Sequence, residues 1–154
     1  MQVRRILAPV DFSDASRDAL DYASAFARLL KARLTVLHSV EAPELPRRLA
    51  AFAHRVKATA LDQAREDVTE FAARAASAAD KLATEIVAGG PRDEIIRALS
   101  RLKADLVIMA TSGRTGLKRL WLGSVAEHVV RHASCPVLVV RRQKRAWLRA
   151  VRRK

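Results

Sequence analysis

Short apolar runs alternate with stretches of helical spacing along almost the whole chain. Residues 3–9 (Val-Arg-Arg-Ile-Leu-Ala-Pro) predict a short buried strand, which ends in Pro9-Val10-Asp11-Phe12-Ser13. Ser13 predicts an N-cap, and Asp14 favours the positive end of the helix dipole in the first turn. Ala15, Ala19, Tyr22, Ala23, Phe26, Leu29 and Leu30 then recur at helical spacing to about residue 31. Residues 34–40 (Leu-Thr-Val-Leu-His-Ser-Val) are rich in β-branched side chains and predict a second strand, followed by a loop over 41–46.

Residues 49–79 form a long alanine-rich helical stretch without Gly or Pro, with Phe52, Val56, Leu61, Val68 and Phe71 as an intermittent apolar face. The stretch exceeds an ordinary globular helix, which leaves open whether its first part is continuous with the rest. Residues 83–88 predict a third strand, punctuated by Gly89-Gly90-Pro91. A helix over 91–102 turns Ile95, Ile96 and Leu99 inward, and a fourth strand covers 105–110. A glycine-bearing loop, a helix over 124–133 and a fifth strand, Pro136-Val137-Leu138-Val139-Val140, complete the pattern.

The order β-α-β-α-β-α-β-α-β, with nearly continuous apolar strands, predicts an α/β fold. It is a single doubly wound, Rossmann-like, parallel five-stranded sheet with helices on both faces. Such sheets bind ligands outside the carboxyl ends of their strands, at a switch point in strand order. Asp11 and the glycine loop both follow predicted carboxyl ends, so one crevice is expected to hold them.

A chain of 154 residues is long enough for one domain with a real core. Half of the residues are apolar but only 5% are aromatic, so that core is aliphatic. No apolar run approaches the ~18 residues of a membrane span. The N-terminus lacks the apolar segment of a signal peptide, and the lone Cys135 forms no intrachain disulfide, so a reduced cytoplasm is expected. The net charge of +13 is uneven: residues 141–154 carry eight basic side chains and no acid, which leaves about +5 on residues 1–140.

Only five glycines occur, and Gly113, Gly116 and Gly123 all fall between the fourth strand and the last helix, among Arg114, Lys118 and Arg119. Glycine lets bare backbone N–H groups approach an anion, and a helix start adds unpaired donors and a positive dipole end. The segment therefore suits a phosphate. The chain contains no GxxxxGK[ST], which excludes a Walker-type site, and no GxGxxG after the first strand, which argues against a dinucleotide site. What remains is Gly113, nine residues, then Gly123-Ser124, with Ala110 three positions before Gly113.

At these residues the chain resembles the universal stress protein family, whose motif is G-x2-G-x9-G-[ST] between the fourth strand and the last helix. Gly113, Gly123 and Ser124 match, while Ala110 stands in place of the first glycine. The resemblance extends over about residues 3–141. It includes the opening Ile6-Leu7-Ala8-Pro9-Val10-Asp11-Phe12-Ser13, the strand end Leu37-His38-Ser39-Val40, and Cys135 with the fifth strand. It implies a fold like that of the adenine nucleotide alpha hydrolases over residues 1–141, with 142–154 as a separate basic amphipathic tail.

It further implies a site for ATP, or alternatively ADP, AMP or cyclic AMP, with Mg²⁺ bridging the phosphates. Carried over by position, phosphate contacts fall on Gly113, Gly123, Ser124 and Val125, and Ala110 belongs to the same nucleotide site. Asp11 falls at the ribose, and Pro9, Val10 and Ser39 fall near the base. A homodimer through the fifth strand is implied as well.

The residues alone leave several roles open. Ser124 with Glu127 also fits a capping box, and Asp11 could simply cap the following helix. Gly116 suits an ordinary turn, and Arg114, Lys118 and Arg119 suit a solvated loop face. His128 and His132 lie one helical turn apart, as metal-binding pairs do, but no third ligand is evident nearby. Cys135 reads as a small packed residue. In the tail, Trp147, Leu148 and Val151 share a helical face among arginines, which suits an anionic lipid, nucleic acid or an acidic partner, or else a disordered segment.

Three functions follow. The first is a nucleotide-dependent regulatory or interaction module of the stress response. The second is a dimeric interaction protein of the same fold that binds no nucleotide. The third is a weak ATPase, for which no general base or arginine finger can be named. The HIGH-type motif of nucleotidyl transferases is absent.

Overall fold

The computed structural model describes residues 2–41, 50–76, 81–111 and 122–141. The tail and Gly113 lie outside the described residues, as do Gly116, Arg114, Lys118 and Arg119. Five strands and four helices alternate: β1 (Arg5–Pro9), α1 (Asp14–Leu30), β2 (Arg33–Val40), α2 (Ala50–Ala76), β3 (Leu82–Ala88), α3 (Pro91–Leu102), β4 (Leu106–Ala110), α4 (Ser124–His132) and β5 (Val137–Val140). The strands form one sheet in the order β3-β2-β1-β4-β5, parallel throughout. The predicted doubly wound α/β fold is the fold observed.

Period-two alternation divides the core between the two faces of this sheet. Ile6 and Ala8 of β1, with Val10 just past its end, point to one face, where Ala19, Leu20, Ala23 and Ala27 of α1 and Val68, Phe71 and Ala72 of α2 meet them. Leu7 points the other way, with Leu37, Val107 and Met109, against Ile95, Ala98 and Leu99 of α3 and Ala126 and Val129 of α4. The alanines let α1 lie close to the strands, which suits a core poor in aromatics. The long helix is a single α2. Only its second half seats in the core: Ala64, Val68, Phe71 and Ala72 are buried, whereas Val56 and Leu61 are half-buried.

Helices α1 and α3 both end on a lysine in the left-handed region, Lys31 at φ 53° and Lys103 at φ 50°. Glycine is the usual residue there, so neither end is punctuated in the sequence. Gly89 does need to be glycine: its φ is +148°, and a side chain would strike the Glu94 carboxylate at 2.8 Å. Among the described residues, no helix is long and apolar enough to cross a membrane.

Asp105 fastens the start of the sheet. Its Oδ2 accepts the backbone N–H groups of Arg4 at 3.0 Å and Arg5 at 2.9 Å, and its own N–H donates to the Arg5 carbonyl at 2.8 Å. The Arg5 guanidinium lies 3.5 Å from Oδ1. These bonds explain why both strands start later than the apolar pattern suggests, β1 at Arg5 and β4 at Leu106.

The Arg4 N–H chiefly, with the Arg5 side chain and N–H, holds the Asp105 carboxyl below its ordinary 3.8 against a smaller opposing effect of desolvation. A depressed folded value means that the charged form stabilises the fold above 3.8, and that this contribution fades as the pH falls through the lowered value. Asp105→Asn should therefore lose on the order of 1 kcal/mol at pH 7. Urea unfolding of the two proteins should converge on acidification, and a gap that persists unchanged at the lowest pH would contradict this account.

Candidate functional site

Where β1 ends, the chain must turn sharply into α1, and three residues make that turn. Val10 continues the ladder, its N–H donating to the Leu37 carbonyl at 2.8 Å. Its own carbonyl, which can only accept, is bonded at 2.8 Å by Nδ1 of His38, so Nδ1 carries the proton. Phe12 adopts φ 64°, a left-handed conformation that costs a non-glycine residue roughly 1–2 kcal/mol. Its ring packs against His38 at 4.2 Å and meets the edge of Phe71 at 5.5 Å, and Arg17 stacks over Phe71 at 4.2 Å.

This turn aims Asp11 inward, and its Oδ1 accepts the Ser13 N–H at 3.1 Å and the Ser13 hydroxyl at 2.6 Å. Ser13 caps α1 as predicted, its Oγ accepting the Ser16 N–H at 3.1 Å. Asp11 thus orients the residue that caps the helix instead of capping it directly.

At the opposite wall, α4 starts differently from the capping-box reading. Gly123 is its N-cap, with φ −63° and ψ 154°, and among the described residues no side chain caps the helix. Ser124 is already the first helical residue, so its hydroxyl is not placed to cap, and Glu127 sits one position too far along to reach back. Glu127 instead pairs with Arg131 at 3.0 Å. The Gly123 N–H donates to the Thr111 carbonyl at 2.6 Å, and the Thr111 N–H donates to the Val140 carbonyl at 3.0 Å. The two ends of the glycine-bearing segment are therefore pinned side by side at the top of β4. Among the described residues, no hydrogen-bond acceptor meets the first N–H groups of α4, from Ser124 to Ala126, and the dipole of α4 is positive at that end.

Between these walls lies a cavity of about 380 Å³, within the ordinary size of a small-ligand site. Pro9, Val10, Asp11, Ser39, Ala110, Gly123, Ser124 and Val125 all line it. Of the residues expected at the site, only Gly113 is not among them, because it lies outside the described residues. Ala110 belongs to β4, paired in register with Val140, so this position does not require a glycine conformation.

The structure adds Ser16, Leu37, Glu41, Thr111, Pro91 and Ile95 to the lining, together with Met109 and Ala126. Glu41 and Thr111 directly follow strand ends, a signal the sequence carried. Pro91 and Ile95 enter because α3 packs beside β2 and β1, a neighbourhood that becomes visible only with the strand order.

Other candidates fall away from the cavity. The His128 and His132 rings stack at 4.3 Å, and Nδ1 of His132 bonds the His128 carbonyl at 2.8 Å, near the end of α4. Cys135 is half-buried; burial, with the nearby Asp105 charge, pushes its thiol up and keeps it protonated.

Residues 2–141 match the sequence profile of the universal stress protein family. The chain belongs to that family. A universal stress protein of Methanocaldococcus jannaschii is 34% identical over 143 residues, spanning 92% of this chain and 84% of that protein. The universal stress protein UspA from Lactobacillus plantarum has the same fold, with a TM-score of 0.80 at 29% identity over 92% of this chain and 99% of its own. A universal stress protein solved in complex with cAMP aligns at a TM-score of 0.63 and 26% identity, over 91% and 98% of the two chains.

The two helix starts of this universal stress protein fold predict opposite responses to loss of a serine hydroxyl. Ser13→Ala should cost about 1 kcal/mol through loss of the α1 cap. Ser124→Ala should stay within about 0.5 kcal/mol in the absence of ligand. Chemical denaturation of the two variants measures both, and equal losses would restore Ser124 as a cap.

Proposed function

We propose that the chain binds an adenine nucleotide in this cavity and acts as a nucleotide-dependent regulatory or interaction module of the stress response. The observation that carries the reading is the uncapped start of α4 facing Asp11 across a single cavity at the carboxyl ends of β1 and β4. The residues present fit such a ligand. Backbone N–H groups of Ser124, Val125 and Ala126, beside Gly123, would take the phosphates. Asp11, a carboxylate acceptor, would take ribose hydroxyls. Apolar side chains of Pro9, Val10 and Leu37, with Ser39 at their edge, would line the base.

The relative bound to cAMP supports the ligand class. Within that class, ATP is the nucleotide whose phosphates the family motif would hold, with Gly113 joining Gly123 and with Mg²⁺ bridging phosphate oxygens. Ala110, extended within β4, offers no obstacle of conformation. The function is one of binding, in which the nucleotide changes the surface shown to partners.

Residues 1–141 form the nucleotide-binding unit in this reading, and residues 142–154 serve as a separate basic segment for an anionic surface. A cytoplasmic setting goes with the lone cysteine. The position of β5 at the edge of the sheet supports a homodimer in which two β5 strands cover one another, since an apolar edge left open invites pairing. Sedimentation equilibrium measures that mass directly, and a monomer at every concentration would remove the dimer from the account.

Thermal unfolding with ATP, ADP, AMP or cyclic AMP, each with Mg²⁺, tests the binding. Ligand at about 100 times its Kd should add roughly 2.7 kcal/mol of stability. Gly123→Val puts a branched side chain on the cavity wall at an unstrained backbone position, and it should abolish the shift. A chain ending at residue 141 should retain it. No shift with any of the four nucleotides would overturn the proposal and leave the dimeric, nucleotide-free reading.

A further inference from the structure

We propose that His38, acting with Phe12, is the positioning residue that presents Asp11 to the sugar of the bound nucleotide. The inference rests on the adenine-nucleotide reading and assigns a role that the cavity lining alone does not reveal, since neither His38 nor Phe12 lines the cavity. One side chain from β2 grips the chain on both sides of the aspartate. Nδ1 of His38 holds the carbonyl of Val10, the residue before Asp11, at 2.8 Å. The His38 ring packs at 4.2 Å on the ring of Phe12, the residue after it.

The left-handed conformation of Phe12 produces the turn, and a phenylalanine does not adopt φ 64° without compensation. The compensation is visible. The ring is held on its second side by Phe71 of α2, which Arg17 of α1 covers in turn. With Val10 and Phe12 both fixed, Asp11 has little freedom left, and its Oδ1 is set on Ser13 at the start of α1. The carboxylate is thereby preorganised before any ligand arrives, which lowers the ordering cost of binding.

A positioning role acts only through the groups that Asp11 would bind, so it can be separated from a general loosening of the fold. The native chain, Phe12→Gly, His38→Ala and His38→Asn are titrated calorimetrically with AMP and with 2′,3′-dideoxy-AMP, which lacks both hydroxyls that Asp11 would bind. Phe12→Gly removes the ring but tolerates the left-handed turn. His38→Asn keeps an N–H donor near the position of Nδ1.

The native chain should prefer AMP by on the order of tenfold or more, since a single hydrogen bond to a charged group is worth about tenfold. In Phe12→Gly and His38→Ala that preference should fall towards unity, with 2′,3′-dideoxy-AMP binding changed less than about twofold. His38→Asn should recover part of it. If the variants weaken both ligands by the same factor, or keep the native preference, the positioning role is overturned while the nucleotide reading stands. The same holds if the native chain binds both ligands equally. A native chain that binds neither overturns both.

Discussion

The site exists because β1 sits in the middle of the sheet with β2 on one side and β4 on the other. The chain leaves β1 into α1 on one face and leaves β4 towards α4 on the opposite face. Two neighbouring strands that send their connections to opposite faces leave a gap above their carboxyl ends. All other features of the site are placed relative to that gap. Asp11 stands on one side of it, the first turn of α4 on the other, and the ends of β2 and α3 close the third wall. Asp105, which ties the first residues of β1 to the start of β4 at the far end of the sheet, keeps these two strands in register.

The two sides of the gap are held by different physics. The α4 side is a matter of backbone: a glycine N-cap, no capping side chain, and two hydrogen bonds that lock Gly123 to Thr111 and Thr111 to Val140. Its attraction for an anion comes from the helix terminus itself. The Asp11 side is a matter of side chains. A strained phenylalanine, a histidine and a serine hydroxyl together fix one carboxylate. A ligand with phosphate at one end and a polyol beyond it complements both walls, and that pairing is why an adenine nucleotide is the ligand proposed.

Much of this was legible in the sequence, for reasons that can be named. Strands buried on both faces read as continuous apolar runs, and the helices between them carry a clear period, so the element order followed directly. The residues beside the gap were legible because they lie just past strand ends, as Asp11 and Ala110 do. The start of α4 was not: Ser124 and Glu127 spell a capping box, yet a glycine one residue earlier takes the N-cap position, and only backbone dihedrals distinguish the two registers. Pro91 and Ile95 were missed because strand order is a long-range property. His38 was visible as a strand-end histidine, but its grip on both neighbours of Asp11 requires three-dimensional contacts between β2, the turn and α2.

The central claim is that one cavity presents a helix terminus to phosphate and a fixed carboxylate to ribose. An amide-resolved NMR titration of the isotopically labelled chain with AMP tests it most directly. The account predicts that the largest shifts fall on the amides of Ser124, Val125 and Ala126 and on those of Asp11 and Ser39, saturating together with a single Kd. Shifts confined to other parts of the chain, or none at AMP concentrations that saturate ordinary nucleotide sites, would contradict it.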